Sequence, residues 1–279
     1  MPWPLPYAAP DWCGRYAEAF TQLHDPLGFG AKWGPRTTER RSECYNFSNG
    51  AQCNWNGGVW PYETSKTGTA LINLLQLYPP QPHVTLDDFD KLLATYARAH
   101  TQSHAEGLLP PHVDEDLHPD DGYWITRRKL HGIHPWPGTG GVGNPRDPMH
   151  NRGDHYFHST FNDLILSGLV GVRPAAEYLE IHPLTHIEWF CATGLHLRGR
   201  DIAVVWDAVG KQFPHGAGLH VWRDGTLIGS ATPITSHDGR LQPPRVRISW
   251  ETRDVSFTTC SRVVGAGPTR QSGRGWWDC

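Results

Sequence analysis

No stretch of this chain is long and apolar enough to cross a bilayer. Its start, Met1-Pro2-Trp3-Pro4-Leu5-Pro6, has neither a basic n-region nor an apolar h-region. The expectation is a soluble protein, cytoplasmic by default, with no membrane partner. Charge is also sparse. Only 19% of residues are charged and the formal net charge is −3, so there is no basic field for nucleic acid and no acidic tail. The cysteines (Cys13, Cys44, Cys53, Cys191, Cys260 and Cys279) include no C-x-x-C pair and follow no regular frame. Cys44 and Cys53 could bridge across a loop, but separated thiols in a chain this long are more often free and buried. No internal repeat of fixed period stands out.

Several signatures are imitated without their context. Gly138-Thr139-Gly140-Gly141-Val142-Gly143 satisfies G-x-G-x-x-G, yet no strand precedes it and Pro145 stands where a helix should open, so it reads as a loop and not a phosphate cradle. Ser159 lacks the strand-turn-helix setting of a nucleophile elbow. His131 and His134 form H-x-x-H, and His150, Asp154, His155 and His158 cluster, but the spacing matches no zinc signature. No metal and no cofactor is expected.

What the chain does have is 13 Trp, 24 Pro and 30 Gly in 279 residues, a loop-rich and aromatic-rich composition that suits carbohydrate sites. The length allows one large domain or two, burying about three quarters of the unfolded surface. Trp12, Tyr16, Phe20 and Leu23 share one helical face, and Gly28 and Gly30 end that segment. A helix is predicted near 65–77, stopped by Tyr78-Pro79-Pro80-Gln81-Pro82. Another begins at Thr85, with Asp88 placed to reach back to the cap amide. A fourth is predicted from about Ser159 to Leu169. From about 181 the period changes to two, as in Ile202-Ala203-Val204-Val205-Trp206, and Arg223-Asp224-Gly225-Thr226 signals a hairpin.

The stretch that organises the chain is Asn54-Trp55-Asn56-Gly57-Gly58-Val59-Trp60-Pro61-Tyr62-Glu63-Thr64-Ser65, an aromatic and polar loop that feeds a helix capped by Thr64 or Ser65. Trp55 and Trp60 are either large core residues or indole faces for the C–H faces of a sugar, and the glycines let backbone approach a ligand. This stretch resembles the W-N-G-x-x-W-P-[YF]-x-T-[ST] segment of six-hairpin, (α/α)6-barrel glycoside hydrolases of the mannosylglycerate hydrolase and processing α-glucosidase group. Further similar segments are Gly28-Phe29-Gly30-Ala31 through Arg41, Asp114-Glu115-Asp116-Leu117-His118-Pro119 with Gly122, His158-Ser159-Thr160-Phe161, and Gly168 through Pro174.

The resemblance implies a mainly α fold, with residues 1–175 as the C-terminal half of an (α/α)6 toroid; the period-two patterning then reads as an antiparallel β-domain over 176–261, and the Gly-rich end as a flexible tail over 262–279. The resemblance also implies a carbohydrate substrate and an inverting glycosidase. It places Glu115 on the family's general base, flanked by like charges at Asp114 and Asp116 that favour proton uptake. Trp55, Asn56, Gly57, Trp60, Glu39 and His158 become sugar contacts. Asp116 stands where the family commonly has Asn, and Tyr123 where a polar residue is usual. No position matches the motif of the family's general acid, so the resemblance implies a truncated enzyme, with an inactive remnant or a carbohydrate-binding protein as the alternative.

Overall fold

Pro61 opens the longest helix described, α1 (Pro61–Leu77). Its fixed φ suits the first helical position, where its missing N–H costs nothing. The N-cap is Trp60, in extended conformation, so the helix starts earlier than a Thr64 or Ser65 cap would allow. Those two hydroxyls lie inside the helix, where Thr64 Oγ1 donates back to the Trp60 carbonyl at 3.1 Å. The structure, a computed structural model, describes residues 15–45, 55–100, 103–104, 107–108, 114–125 and 160–251. The chain divides into two units, Met1–Leu164 and Ile165–Cys279.

In the first unit, Arg15–Leu23 forms a 3-10 helix in place of the expected α-helix, with Ala17 and Phe20 buried. The second helix, α2 (Leu86–Ala99), begins as its sequence predicts: the Asp88 carboxylate accepts from both the Thr85 amide (2.8 Å) and the Thr85 hydroxyl (2.9 Å). Its buried stripe is Phe89, Leu93, Tyr96 and Ala99. Tyr96 ties it to α1 by donating to the Pro61 carbonyl at 3.0 Å, and Ser65 Oγ lies 2.8 Å from the same phenol oxygen. A short helix, α3 (Phe161–Leu164), packs on α1 where Gly68 makes room, since a Cβ there would stand 2.6 Å from a Leu164 methyl. Between α2 and α3 lies the short antiparallel pair β1 (Ser103–His104) and β2 (Gly107–Leu108).

The second unit opens with a π-helical turn, Ile165–Leu169, and continues as antiparallel sheet. One sheet pairs β4 (Tyr178–Ile181) with β3 (Val172–Pro174) on one side and β11 (Val246–Ser249) on the other. A meander joins β5 (Trp189–Leu197), β6 (Arg200–Asp207), β7 (Gly218–Arg223) and β8 (Thr226–Ala231), and β9 (Ile234–Thr235) pairs with β10 (Leu241–Gln242). The predicted turn at Asp224-Gly225 forms, both residues taking positive φ (50° and 78°) as a two-residue hairpin with right-twisted strands requires.

The mainly α, partial (α/α)6 toroid is therefore corrected. Among the described residues there are only a few helices, none after Leu169, and the regular structure that follows is all antiparallel strand. The physical reason lies in the Pro-rich stretch that ends α1 at Tyr78-Pro79-Pro80 and in the period-two patterning of the second unit. Among the described residues no helix is long and apolar enough to cross a membrane. Cys44 is an exposed free thiol, and Cys53 lies outside the described residues.

Candidate functional site

The tryptophan loop is held from below by a threonine pair. Thr37 donates to the Gly58 carbonyl through both its amide and its hydroxyl (3.1 Å each), and its hydroxyl oxygen accepts from the Gly57 amide at 3.2 Å. Thr38 Oγ1 donates to the Trp55 carbonyl at 2.9 Å. Gly57 has φ +138°, and a Cβ there would lie 2.5 Å from the Tyr45 ring, so its missing side chain makes room for that aromatic. The two indoles stack on each other at 3.9 Å with an interplanar angle of 22°. They are not equivalent, because Trp60 is 3% exposed and Trp55 44% exposed. Trp60 is core, whereas Trp55 keeps a face available. Asn56 is half-buried, and Glu39 pairs with Arg41 at 3.1 Å.

The acidic loop is joined to this loop through the backbone. Val59 and Leu117 exchange both hydrogen bonds of an antiparallel bridge, at 3.0 and 2.8 Å, and Leu117 bridges in turn to Trp124. Val59, Leu117 and Trp124 form a buried cluster with Ala99 of α2, whose carbonyl accepts from the Trp124 indole N–H at 3.0 Å. The antiparallel sense carries the chain from Leu117 back toward Glu115 along the Pro61 side of the bridge. Glu115 is half-buried between Asp114 and Asp116, both buried. The loop closes at Gly122, whose φ of +79° and close approach to the Trp33 ring exclude a Cβ. His118 stacks on Tyr123 at 4.8 Å and faces Asp121 at 3.1 Å. Burial lowers its proton affinity more than Asp121 and Asp120 raise it.

A cleft of about 420 Å³ opens beside the tryptophan loop, lined in part by Arg36, Thr37, Trp55, Glu63, Lys66 and Thr67. Trp55 is thus the predicted residue that enters it, and Glu115 is not among the described residues that line it. Glu63, Lys66 and Thr67 were not among the expected sugar contacts, although their i, i+3, i+4 spacing after Pro61 marks one helical face. The Arg36 side chain is 2% exposed. No group of three His, Cys, Asp or Glu suited to a metal occurs among the described residues. His158, His150, Asp154, His155, the H-x-x-H pair and the Gly138–Gly143 loop all lie outside them.

Against known proteins, residues 1–159 match the mannosylglycerate hydrolase MGH1-like glycoside hydrolase domain. Among solved structures a sialidase is similar, with 29% identity and a TM-score of 0.66, over 82% of this chain and 19% of that one. The chain therefore spans less than a fifth of that sialidase. Comparison with curated proteins gives no match. With more than half of its length, including both the tryptophan and the acidic loop, inside the matched region, this chain belongs to the MGH1-like family of glycoside hydrolase domains.

Proposed function

We propose that this chain forms part of a carbohydrate-active protein, a glycosidase that releases a terminal α-linked or rhamnose-like sugar with inversion, with Glu115 as the general base. The observation that carries the proposal is the Val59–Leu117 bridge, which fastens the acidic loop to the tryptophan loop. An inverting site needs one carboxylate to take a proton from water and one carboxylic acid to protonate the leaving oxygen, about 6.5–9.5 Å apart. Glu115 takes the first role. Half-buried, it is accessible to water and neighboured by two buried carboxyl groups. Trp55 offers its open indole face to the sugar, backed by Trp60, while Asn56, Gly57, Glu39 and His158 complete the contacts. The acid has no motif match in this chain.

A second reading, carbohydrate binding without turnover, draws on the cleft, which includes Trp55 and not Glu115. Aryl α-glycoside hydrolysis by wild type and Glu115→Gln separates the two. Under the first reading the substitution lowers turnover by on the order of 10²–10⁴ with sugar affinity nearly intact, and NMR of the fresh product shows the inverted anomer. Full turnover in Glu115→Gln would remove Glu115 as the base. An inactive wild type that still binds sugar would leave the second reading.

A further inference from the structure

We infer that Arg36 is a positioning residue for Glu115: its guanidinium holds the tip of the acidic loop through Asp120, and so fixes the segment that carries the Glu115 carboxylate. The inference rests on the reading of Glu115 as the general base, but the hold itself is measurable without turnover.

The acidic loop turns back on itself. The His118 amide donates to the Tyr123 carbonyl and the Ile125 amide to the Asp116 carbonyl, both at 3.0 Å, which leaves Asp120 at the tip. Leu117 pairs with Trp124 on one side and with Val59 on the other, and Val59 pairs with Arg36, so four segments lie in one row. The row grips the loop from the Val59 side at one residue pair, and a loop held at one pair can pivot about it. Arg36 supplies a second hold. Its backbone takes part in the row, while its buried side chain brings Nη2 to 3.3 Å from Asp120 Oδ1, beyond Leu117 along the loop. The guanidinium is itself tied down, because Nη1 donates to the carbonyls of Gly30 and Pro26 and the Arg36 amide donates to the Phe29 carbonyl at 2.8 Å. A planar fork with its donors in set directions does both jobs at once, which an ammonium on a flexible stem does not.

Stability is a poor account of this arrangement. A buried cation is costly, its partner Asp120 is half-exposed, and the Arg36 Nε is buried and meets no acceptor among the described residues. What the arrangement supplies is place. With the loop held at Leu117 and again at Asp120, Glu115, two residues before Leu117, does not swing about the first hold. A base must lie within hydrogen-bond reach of the water it activates, and a misplacement of about 1 Å costs on the order of 10²-fold in rate.

The test uses the full chain with Asp120→Ala, Arg36→Lys and the double variant, read by amide hydrogen exchange and by aryl α-glycoside hydrolysis. Asp120→Ala changes only a half-exposed side chain, so it decides the matter even where Arg36→Lys fails to fold. In Asp120→Ala the amides of Leu117, His118 and Ile125 are expected to exchange faster while those of α2 do not change. Its kcat falls by about 10- to 10²-fold with KM within about twofold of wild type. Arg36→Lys keeps the charge but not the fork and behaves in the same way. The double variant is no worse than the weaker single one, as expected of two groups that act as one unit. Wild-type exchange at those three amides in Asp120→Ala would overturn the inference. So would lost protection with an unchanged kcat in an active enzyme, a loss carried by KM alone, or additive losses in the double variant. Failure of Glu115 as the base shows separately, as an inactive wild type or as full turnover in Glu115→Gln, and amide exchange then still decides whether Arg36 holds the loop.

Discussion

The two units use their backbone hydrogen bonds in different ways. In the first, the segments around the candidate site meet through single bridges, Arg36 to Val59, Val59 to Leu117 and Leu117 to Trp124, reinforced by side chains that reach backbone carbonyls. In the second, neighbouring strands pair over several consecutive residues, with register shifts at Ala192/Leu195 and Val221/Trp222. Arg173 on β3, Glu180 on β4 and Arg247 on β11 stand directly opposite one another, and Arg245 also reaches the Glu180 carboxylate at 2.7 Å. Ladders fix every residue's face at once, so the second unit is specified by pattern. Loops joined at single points leave side chains such as Trp55 and Glu115 accessible, and each junction depends on one or two contacts.

Three perturbations sharpen this contrast. The largest effect is expected from Glu180→Gln. Burial pushes the Glu180 carboxyl up, but hydrogen bonds from Arg245 and Arg247, with their charges, outweigh it and hold it below its ordinary value. Removing that charge leaves clustered guanidinium groups and should cost about 3–5 kcal/mol, read as a lower urea midpoint for the second unit. An unchanged midpoint would mean that strand pairing alone holds this sheet.

His182, which follows β4, gives a pH signature in the same unit. Burial, then the positive charge of Arg245, lowers its pKa from 6.5 to about 4, with Glu180 opposing and Arg173 and Arg247 adding to the effect. The folded state therefore keeps this imidazole neutral while the unfolded chain takes up a proton near its ordinary pKa. The contribution is fully present above about pH 6.5, is lost as the pH falls toward 4, and amounts to about 3 kcal/mol across that window. Measured stability should fall over that range, and His182→Gln should flatten the fall. A slope unaltered by the substitution would assign it to other groups.

The smallest effect tests a single junction of the first unit. Gly122→Ala places a Cβ at positive φ against the Trp33 ring, which Arg98 covers from 4.4 Å. A destabilisation of about 2 kcal/mol is expected, with weakened glycoside hydrolysis because the acidic loop loses its turn. Wild-type stability in this variant would show that the loop tolerates a different closure.

Where one local rule decided the outcome, the sequence was legible. Thr85 with Asp88 announced the start of α2, and Asp224-Gly225 announced the hairpin. Alternation over 202–206 announced a central strand of the meander. Legibility ended where two rules competed. The apolar spacing through Phe20 and Leu23 fits an α-helix, yet the segment tightens to 3-10. Thr64 and Ser65 are good caps, but Pro61 was already suited to the first helical position. The toroid was inferred from resemblance and failed because short helices among loops do not establish a ring of hairpins.

By itself the sequence determined the character of the molecule: aromatic loops, a patterned sheet, an acidic turn and family membership through contiguous motifs. Those properties depend on residues near one another in the chain, where periodicity and turn chemistry act directly. Only the tertiary structure decided that Trp60 is core while Trp55 is open, that Val59 pairs with Leu117, and that Arg36 is buried beside the Glu63 and Lys66 face of α1. Each of those outcomes joins segments distant in sequence. Long-range contacts are selected by how well whole surfaces fit and by which polar groups find partners, and neither is written in any local pattern.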